Sequence, residues 1–141
     1  MDIRQLSPRY AVSPQIDVTD VAAIAAAGFG TIICNRPDAE IPPSHHAHAV
    51  QDAAHAAGLA FVVIEVTHQG LNDTVVDQQR AAIDGSDLPT LAYCASGTRS
   101  TIVWALGQAA DQPADVLIKA AFDAGYDLGG LKPELDRRAN R

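Results

Sequence analysis

Short apolar runs alternate along this chain with longer segments whose apolar positions recur at helical spacing. Ile3–Leu6 and Arg9–Ser13, separated by Ser7-Pro8, predict an edge hairpin. Residues 17–30 read as an Ala-rich helix with Asp17 or Thr19 as N-cap and Gly28 as its stop. Gly30–Asn35 reads as a buried strand, and Arg36–Pro43 as a Pro-rich loop. Ser44 is expected to cap a helix over residues 45–58. Leu59–Val66 is the strongest strand signal, followed by a loop over Thr67–Asn72 and a helix over 73–85. Pro89–Tyr93 is another short run of β-formers, and a helix follows it to about Gln112. Pro113 opens a further helix to Gly125, and a last one falls within residues 129–140. This alternation predicts an α/β fold with a mostly parallel central sheet flanked by helices on both faces.

Composition narrows the class. The 141 residues fit one domain, 1–141, long enough to bury a real core. Apolar residues make up 48% and charged residues 19%, as in ordinary soluble proteins. A net charge of −7 argues against a nucleic-acid surface. Four of the ten basic residues (Lys132, Arg137, Arg138 and Arg141) lie near the C-terminus, as on a solvated helix end. The N-terminal stretch lacks an apolar signal core and nothing resembles a membrane span, so a cytoplasmic protein is expected. Two cysteines make no disulfide framework, which leaves a thiol with chemistry as the better reading.

That thiol is Cys94. It follows the Pro89–Tyr93 run and precedes Ala95-Ser96-Gly97-Thr98-Arg99-Ser100, where a helix begins. In an open parallel sheet the carboxyl edge of the strands is where ligands bind. Small residues around Gly97 allow the backbone to curl and point N–H groups inward as an anion nest. The helix N-terminus adds positive potential, and Arg99 adds a rigid fork of donors. Such surroundings stabilise a thiolate, and a thiolate in a cup that binds its substrate's charge suits covalent catalysis. The hydroxyls of Thr98 and Ser100 are candidates to hold the sulfur or a bound anion.

The spacing Cys-x4-Arg-Ser, with Gly third, resembles the active loop of single-domain rhodanese-type sulfurtransferases. The wider chain resembles the phosphatase-like domain of β-lactamase hydrolase-like proteins. That resemblance runs from the early hairpin through Thr31–Asp38, Ala54–Val66 and Leu91–Leu106 to Ala121–Leu135. It implies the fold of protein tyrosine and dual-specificity phosphatases, with Cys94 as nucleophile, Arg99 as anion clamp and the loop amides as oxyanion site. Cysteine phosphatases of this fold carry five residues between Cys and Arg and usually a His before the Cys. Here four residues intervene and Tyr93 precedes. Their general-acid Asp lies on the loop after the preceding strand, whereas Thr67–Asn72 holds no carboxylate. His68 or Asp73, the latter as part of a helix N-cap, are the candidates to replace it.

Sulfane-sulfur transfer through a Cys94 persulfide is therefore the first expectation. A phosphotyrosine-type hydrolase working through a cysteinyl phosphate is the second, and a non-catalytic anion-binding module the third. The expected partner is a small anionic substrate: thiosulfate, a persulfide or a phosphate ester. No cofactor or metal is called for, and oligomeric state has no sequence signature here. Cys34 ends a strand on the same edge and is a candidate resolving or relay thiol, or a buried filler. Arg36 falls on that edge and could draw in an anion. His45, His46, His48 and His55 lack a tight ligand spacing and read as a solvated helix face. Trp104 reads as a core anchor.

Overall fold

A computed structural model describes all residues, 1–141. Its centre is a five-stranded sheet built from β1 (Arg4–Ser7), β2 (Tyr10–Ser13), β3 (Thr31–Cys34), β4 (Ala60–Val63) and β5 (Thr90–Tyr93). The order is β1-β2-β5-β3-β4, with β1 antiparallel to β2 and every other pairing parallel. The six helices are α1 (Val21–Ala26), α2 (Ala47–Ala56), α3 (Asp73–Asp84), α4 (Thr98–Gln108), α5 (Ala114–Asp123) and α6 (Lys132–Ala139). No helix is long and apolar enough to cross a membrane.

Strand alternation divides the core into two layers. Ile32, Cys34, Leu91 and Tyr93 pack on α1 and α2 through Val21, Ile24, Val50 and Ala54. Val12, Ile33 and Ala92 face the other way, onto Val76, Ile83, Val103, Trp104, Leu117 and Leu135 of α3 to α6. The middle strand, β5, is buried throughout, and Thr90 to Tyr93 lie level with Tyr10 to Ser13 on one side and Thr31 to Cys34 on the other. The loops after β2, β3 and β5 therefore leave the sheet side by side at its carboxyl edge.

Three local expectations change. The long run at Leu59–Val66 pairs as strand only over Ala60–Val63, an edge strand bonded to β3 alone. Its remaining apolar residues have another use, because Ile64 and Val66 are buried in the α3–α6 layer. Ser44 caps nothing: it sits in a 3-10 turn over Pro43–His45, and α2 begins at Ala47. Asp38 takes the capping role by accepting the Ala47 N–H at 2.8 Å. Residues 17–30 start as a 3-10 turn with Asp17 as its N-cap, and α1 proper is short.

Asp73 opens α3, but Asn72 is the cap, its side chain accepting the Val75 N–H at 3.0 Å. Asp73 instead binds Arg137 at 3.0 Å and Arg138 at 2.8 Å, tying α3 to α6. Arg138 is itself buried and also reaches Asp77 and the Leu106 carbonyl. The guanidinium of Arg137, then that of Arg138, holds the Asp73 carboxyl down from its ordinary 3.8 to about 2. A depressed carboxylate adds stability that is present above the ordinary value and is lost as pH falls through the folded one. Wild type is expected to lose stability between 3.8 and about 2 more steeply than Asp73→Asn, which is the less stable protein at neutral pH. Urea-unfolding midpoints taken across that range check both.

Candidate active site

Four residues can enclose a sulfur only if their carbonyls are bonded on the outside, and that is the arrangement after β5. The Ala95 carbonyl accepts the Gln15 backbone N–H at 3.2 Å, across the neighbouring β2 end. The Ser96 carbonyl accepts the Tyr126 hydroxyl at 3.0 Å. The Gly97 carbonyl accepts both the N–H and the hydroxyl of Thr101, at 3.0 and 2.8 Å. With the carbonyls turned out, the Gly97 N–H points in and donates to Cys94 Sγ at 3.1 Å. Cys94 itself is buried.

Gly97 is the N-cap of α4 with φ at +96°, a left-handed conformation that side chains resist. A Cβ at Gly97 would also lie 2.2 Å from Tyr126 Oη and 2.9 Å from Cζ. Backbone conformation and available space thus exclude a side chain at the same position. Ser96 and Thr98 spend their hydroxyls on each other, 2.9 Å apart, rather than on the sulfur.

Ser100 also points elsewhere. Its hydroxyl is fully buried and donates to Asn35 Oδ1 at 2.8 Å. Asn35, at the end of β3, donates in turn to the Ile64 carbonyl and to Gln79 Oε1 at 2.7 and 2.8 Å. Gln79 Nε2 reaches the Tyr10 hydroxyl, which donates to the Ser100 carbonyl at 2.7 Å. Tyr10 stacks on Trp104 with ring centroids 5.9 Å apart. Every member is buried and partnered, so the network fixes the start of α4 against β2, β3 and α3.

Arg99 is held by an acid with no signal in the sequence motif. Its Nη1 and Nη2 donate to Glu40 Oε2 and Oε1 at 2.8 and 2.7 Å, an end-on bidentate pair. Nη1 also donates to the Val66 carbonyl at 3.0 Å. Of the five guanidinium donors, Nε–H and one N–H of Nη2 remain, and they form the second, side-on fork. The Glu40 carboxylate pushes the Arg99 guanidinium above its ordinary value against the opposing effect of burial, and charge on Cys94 adds to the rise. Glu40 is in turn held below the usual carboxylate range, by Arg99 first and by Arg36 as well. Arg36 donates from Nε to Glu40 Oε1 at 3.2 Å and from Nη1 to Gln15 Oε1 at 3.3 Å. Arg36, Glu40 and Arg99 thus form one alternating set of charges at the carboxyl edge, beside Cys94.

The remaining candidates separate from this set. Cys34 lies level with Tyr93 and turns with it into the α1–α2 layer, whereas Cys94 comes one residue later and meets α4. Both cysteines are free, and Cys34 donates its S–H to the Arg36 carbonyl at 3.3 Å. Burial pushes the Cys34 thiol up, which keeps it protonated. His68 is exposed and shares a small pocket with Asp73, Arg137 and Arg138 beside α6. His45 pairs with Asp17, His46 Nε2 meets the Ile41 carbonyl, and His48 lies 3.4 Å from Asp52, each in a local contact. Glu40, Gln15, Asn35, Gln79 and Tyr126 shape the site without having been singled out. Glu40 shared the one available signal with Arg36, since both follow a strand ending on the Cys94 edge. Gly97→Ala is expected to lower the melting temperature and to cut the alkylation rate of Cys94 at least several-fold, because the Ser96–Tyr126 bond and the inward amide are lost together. Thermal melts with mass-mapped alkylation check it.

The family model for the phosphatase-like domain of β-lactamase hydrolase-like proteins matches residues 2–111. A β-lactamase hydrolase-like protein of Xylella fastidiosa (strain 9a5c) is 30% identical over 141 residues, covering 99% of this chain and 33% of that protein. One of Agrobacterium fabrum (strain C58) is 28% identical over 107 residues, covering 76% of this chain and 25% of its own length. The chain thus spans a third or less of these curated relatives. Among solved structures, a candidate phosphatase of Neisseria meningitidis Z2491 is 34% identical with a TM-score of 0.85, over 98% of this chain and 99% of that one. Kinase-associated phosphatase shares the fold at 13% identity and a TM-score of 0.71, over 97% of this chain and 90% of that one. The fold is thus that of protein tyrosine and dual-specificity phosphatases, and the chain belongs to the family of phosphatase-like domains found in β-lactamase hydrolase-like proteins.

Proposed function

We propose that Cys94 carries sulfane sulfur as a persulfide. The observation behind this reading is that the short cup holds a thiol while Glu40, beside Arg99, and the candidate acid Asp73, on α3, are both kept ionised. Glu40 is paired with Arg99 and Arg36, and Asp73 with Arg137 and Arg138. Phosphate-ester cleavage needs a proton for the leaving oxygen, and an ionised carboxylate has none to give. Sulfur transfer needs none. The thiolate attacks the outer sulfur of thiosulfate, a new S–S bond forms, the old one breaks, and sulfite leaves with the electron pair. From an alkyl persulfide the same attack releases a thiolate. An acceptor thiolate then takes the outer sulfur and returns Cys94 to its starting form. The Gly97 amide and the free side-on fork of Arg99 would hold the departing charge. Two free cysteines suit a reducing compartment such as the cytoplasm.

A cysteine phosphatase is the second reading, favoured by the 34% identical candidate phosphatase of Neisseria meningitidis. In it, Cys94 would form the cysteinyl phosphate and Arg99 would clamp the phosphoryl oxygens, with the candidate His68, on the loop after β4, to supply a proton. Intact-mass spectra of reduced protein exposed briefly to thiosulfate, or to an alkyl persulfide, distinguish the two. Wild type is expected to gain one sulfur and Cys94→Ser none, while Arg99→Lys gains it at least tenfold more slowly. A folded, free-thiol protein that takes no sulfur yet turns over aryl phosphate would replace the first reading with the second. Anion binding that survives Cys94→Ser, with neither activity, would replace both with a binding module.

A further inference from the structure

Glu40 occupies the part of Arg99 that an incoming oxyanion would ordinarily reach end-on. The carboxylate is fixed there from several sides. Arg36 grips it from Nε and also reaches the Glu40 carbonyl at 3.5 Å. The 3-10 turn that carries it, Asp38–Glu40, is anchored to α2 by the Asp38–Ala47 bond. Charge then balances across the site: Arg36 and Arg99 contribute two positive charges, and Glu40 with a Cys94 thiolate contributes two negative ones.

We infer that Glu40 is a specificity-determining residue, a charge filter that favours neutral or singly charged substrates at Cys94 over dianions. The inference rests on Cys94 being the reactive atom of the site and goes beyond that reading by setting the substrate's charge. A ligand anion seated on the side-on fork shares the guanidinium with Glu40, so each unit of its negative charge is repelled by the carboxylate at short range. Under sulfur transfer, the filter favours an organic persulfide over dianionic thiosulfate. Under phosphate hydrolysis, it disfavours free phosphate monoester dianions. A carboxylate that served only to orient Arg99 would have the opposite consequence, because losing it would loosen the anion site.

The two roles separate in the ratio of Cys94 alkylation by iodoacetate to that by iodoacetamide, read by peptide mass mapping on wild type and Glu40→Gln. The reagents differ by one negative charge, any change in thiolate fraction cancels in the ratio, and both proteins are compared well below their unfolding transitions. Glu40→Gln is expected to raise it about tenfold, the size of one unscreened charge at this range. Inorganic phosphate is expected to protect Cys94 from iodoacetamide at about a tenfold lower concentration in the variant. A Cys94 that reacts with iodoacetamide in both proteins, with the ratio unchanged or lowered, overturns the filter and leaves the reactive site standing. A Cys94 inert to both reagents in both proteins overturns the site and the filter together.

Discussion

A backbone that turns its amides toward a buried sulfur must find acceptable homes for its carbonyls, and the domain is arranged around meeting that demand. Ala95, Ser96 and Gly97 bond outward to three separate parts of the chain: the loop after β2, the turn after α5, and the first turn of α4. None of these contacts is strong alone, since a neutral hydrogen bond contributes about 1 kcal/mol net. They matter because a carbonyl left inside would set its oxygen against the sulfur in place of the Gly97 N–H. The central position of β5 is what allows it, since loops from both neighbouring strands stand within reach.

Beneath that loop lies a layer of neutral polar groups, and above it a layer of charges. Asn35, Gln79, Tyr10 and Ser100 satisfy one another in the dry interior, where an unpaired member would cost about 1–3 kcal/mol. Arg36, Glu40 and Arg99 do the same in the half-buried rim, where compensation between opposite charges replaces solvation. The neutral layer sets position and the ionic layer sets potential. Substitutions in the first therefore act on geometry and stability, and those in the second on which ligands approach.

The fold class, and the position of Cys94 against the start of α4, were legible because they depend on neighbours in sequence. An apolar run, a glycine and a helix phase are all local signals. Glu40 was not legible, because its partner lies far along the chain and only the side-by-side ordering of β3 and β5 brings them together. Ser100 was placed near the sulfur by proximity in sequence, yet its hydroxyl follows the helix around to Asn35. Cys34 shares the carboxyl edge with Cys94, and strand alternation turns it into the α1–α2 layer, where its S–H meets the Arg36 carbonyl. Asp73 was read as acid or cap from its position after the loop, while the arginines of α6, at the far end of the sequence, decide its charge. The hydrophobicity of Leu59–Val66 overstated strand length because Ile64 and Val66 serve the α3–α6 layer instead.

Tyr126 lies beyond the residues that match the family model, yet it bonds the Ser96 carbonyl and closes over Gly97. Arg4, from β1, stacks its guanidinium over the Tyr126 ring and donates to the Ala124 carbonyl, so the first strand and the last third of the chain meet at this tyrosine. A ribosome therefore releases Cys94 well before the residue that completes its enclosure. Until the segment after α5 docks, the Ser96 carbonyl lacks this partner and the loop around the thiol stays open on that side. The enclosure of the sulfur is thus coupled to completion of the domain.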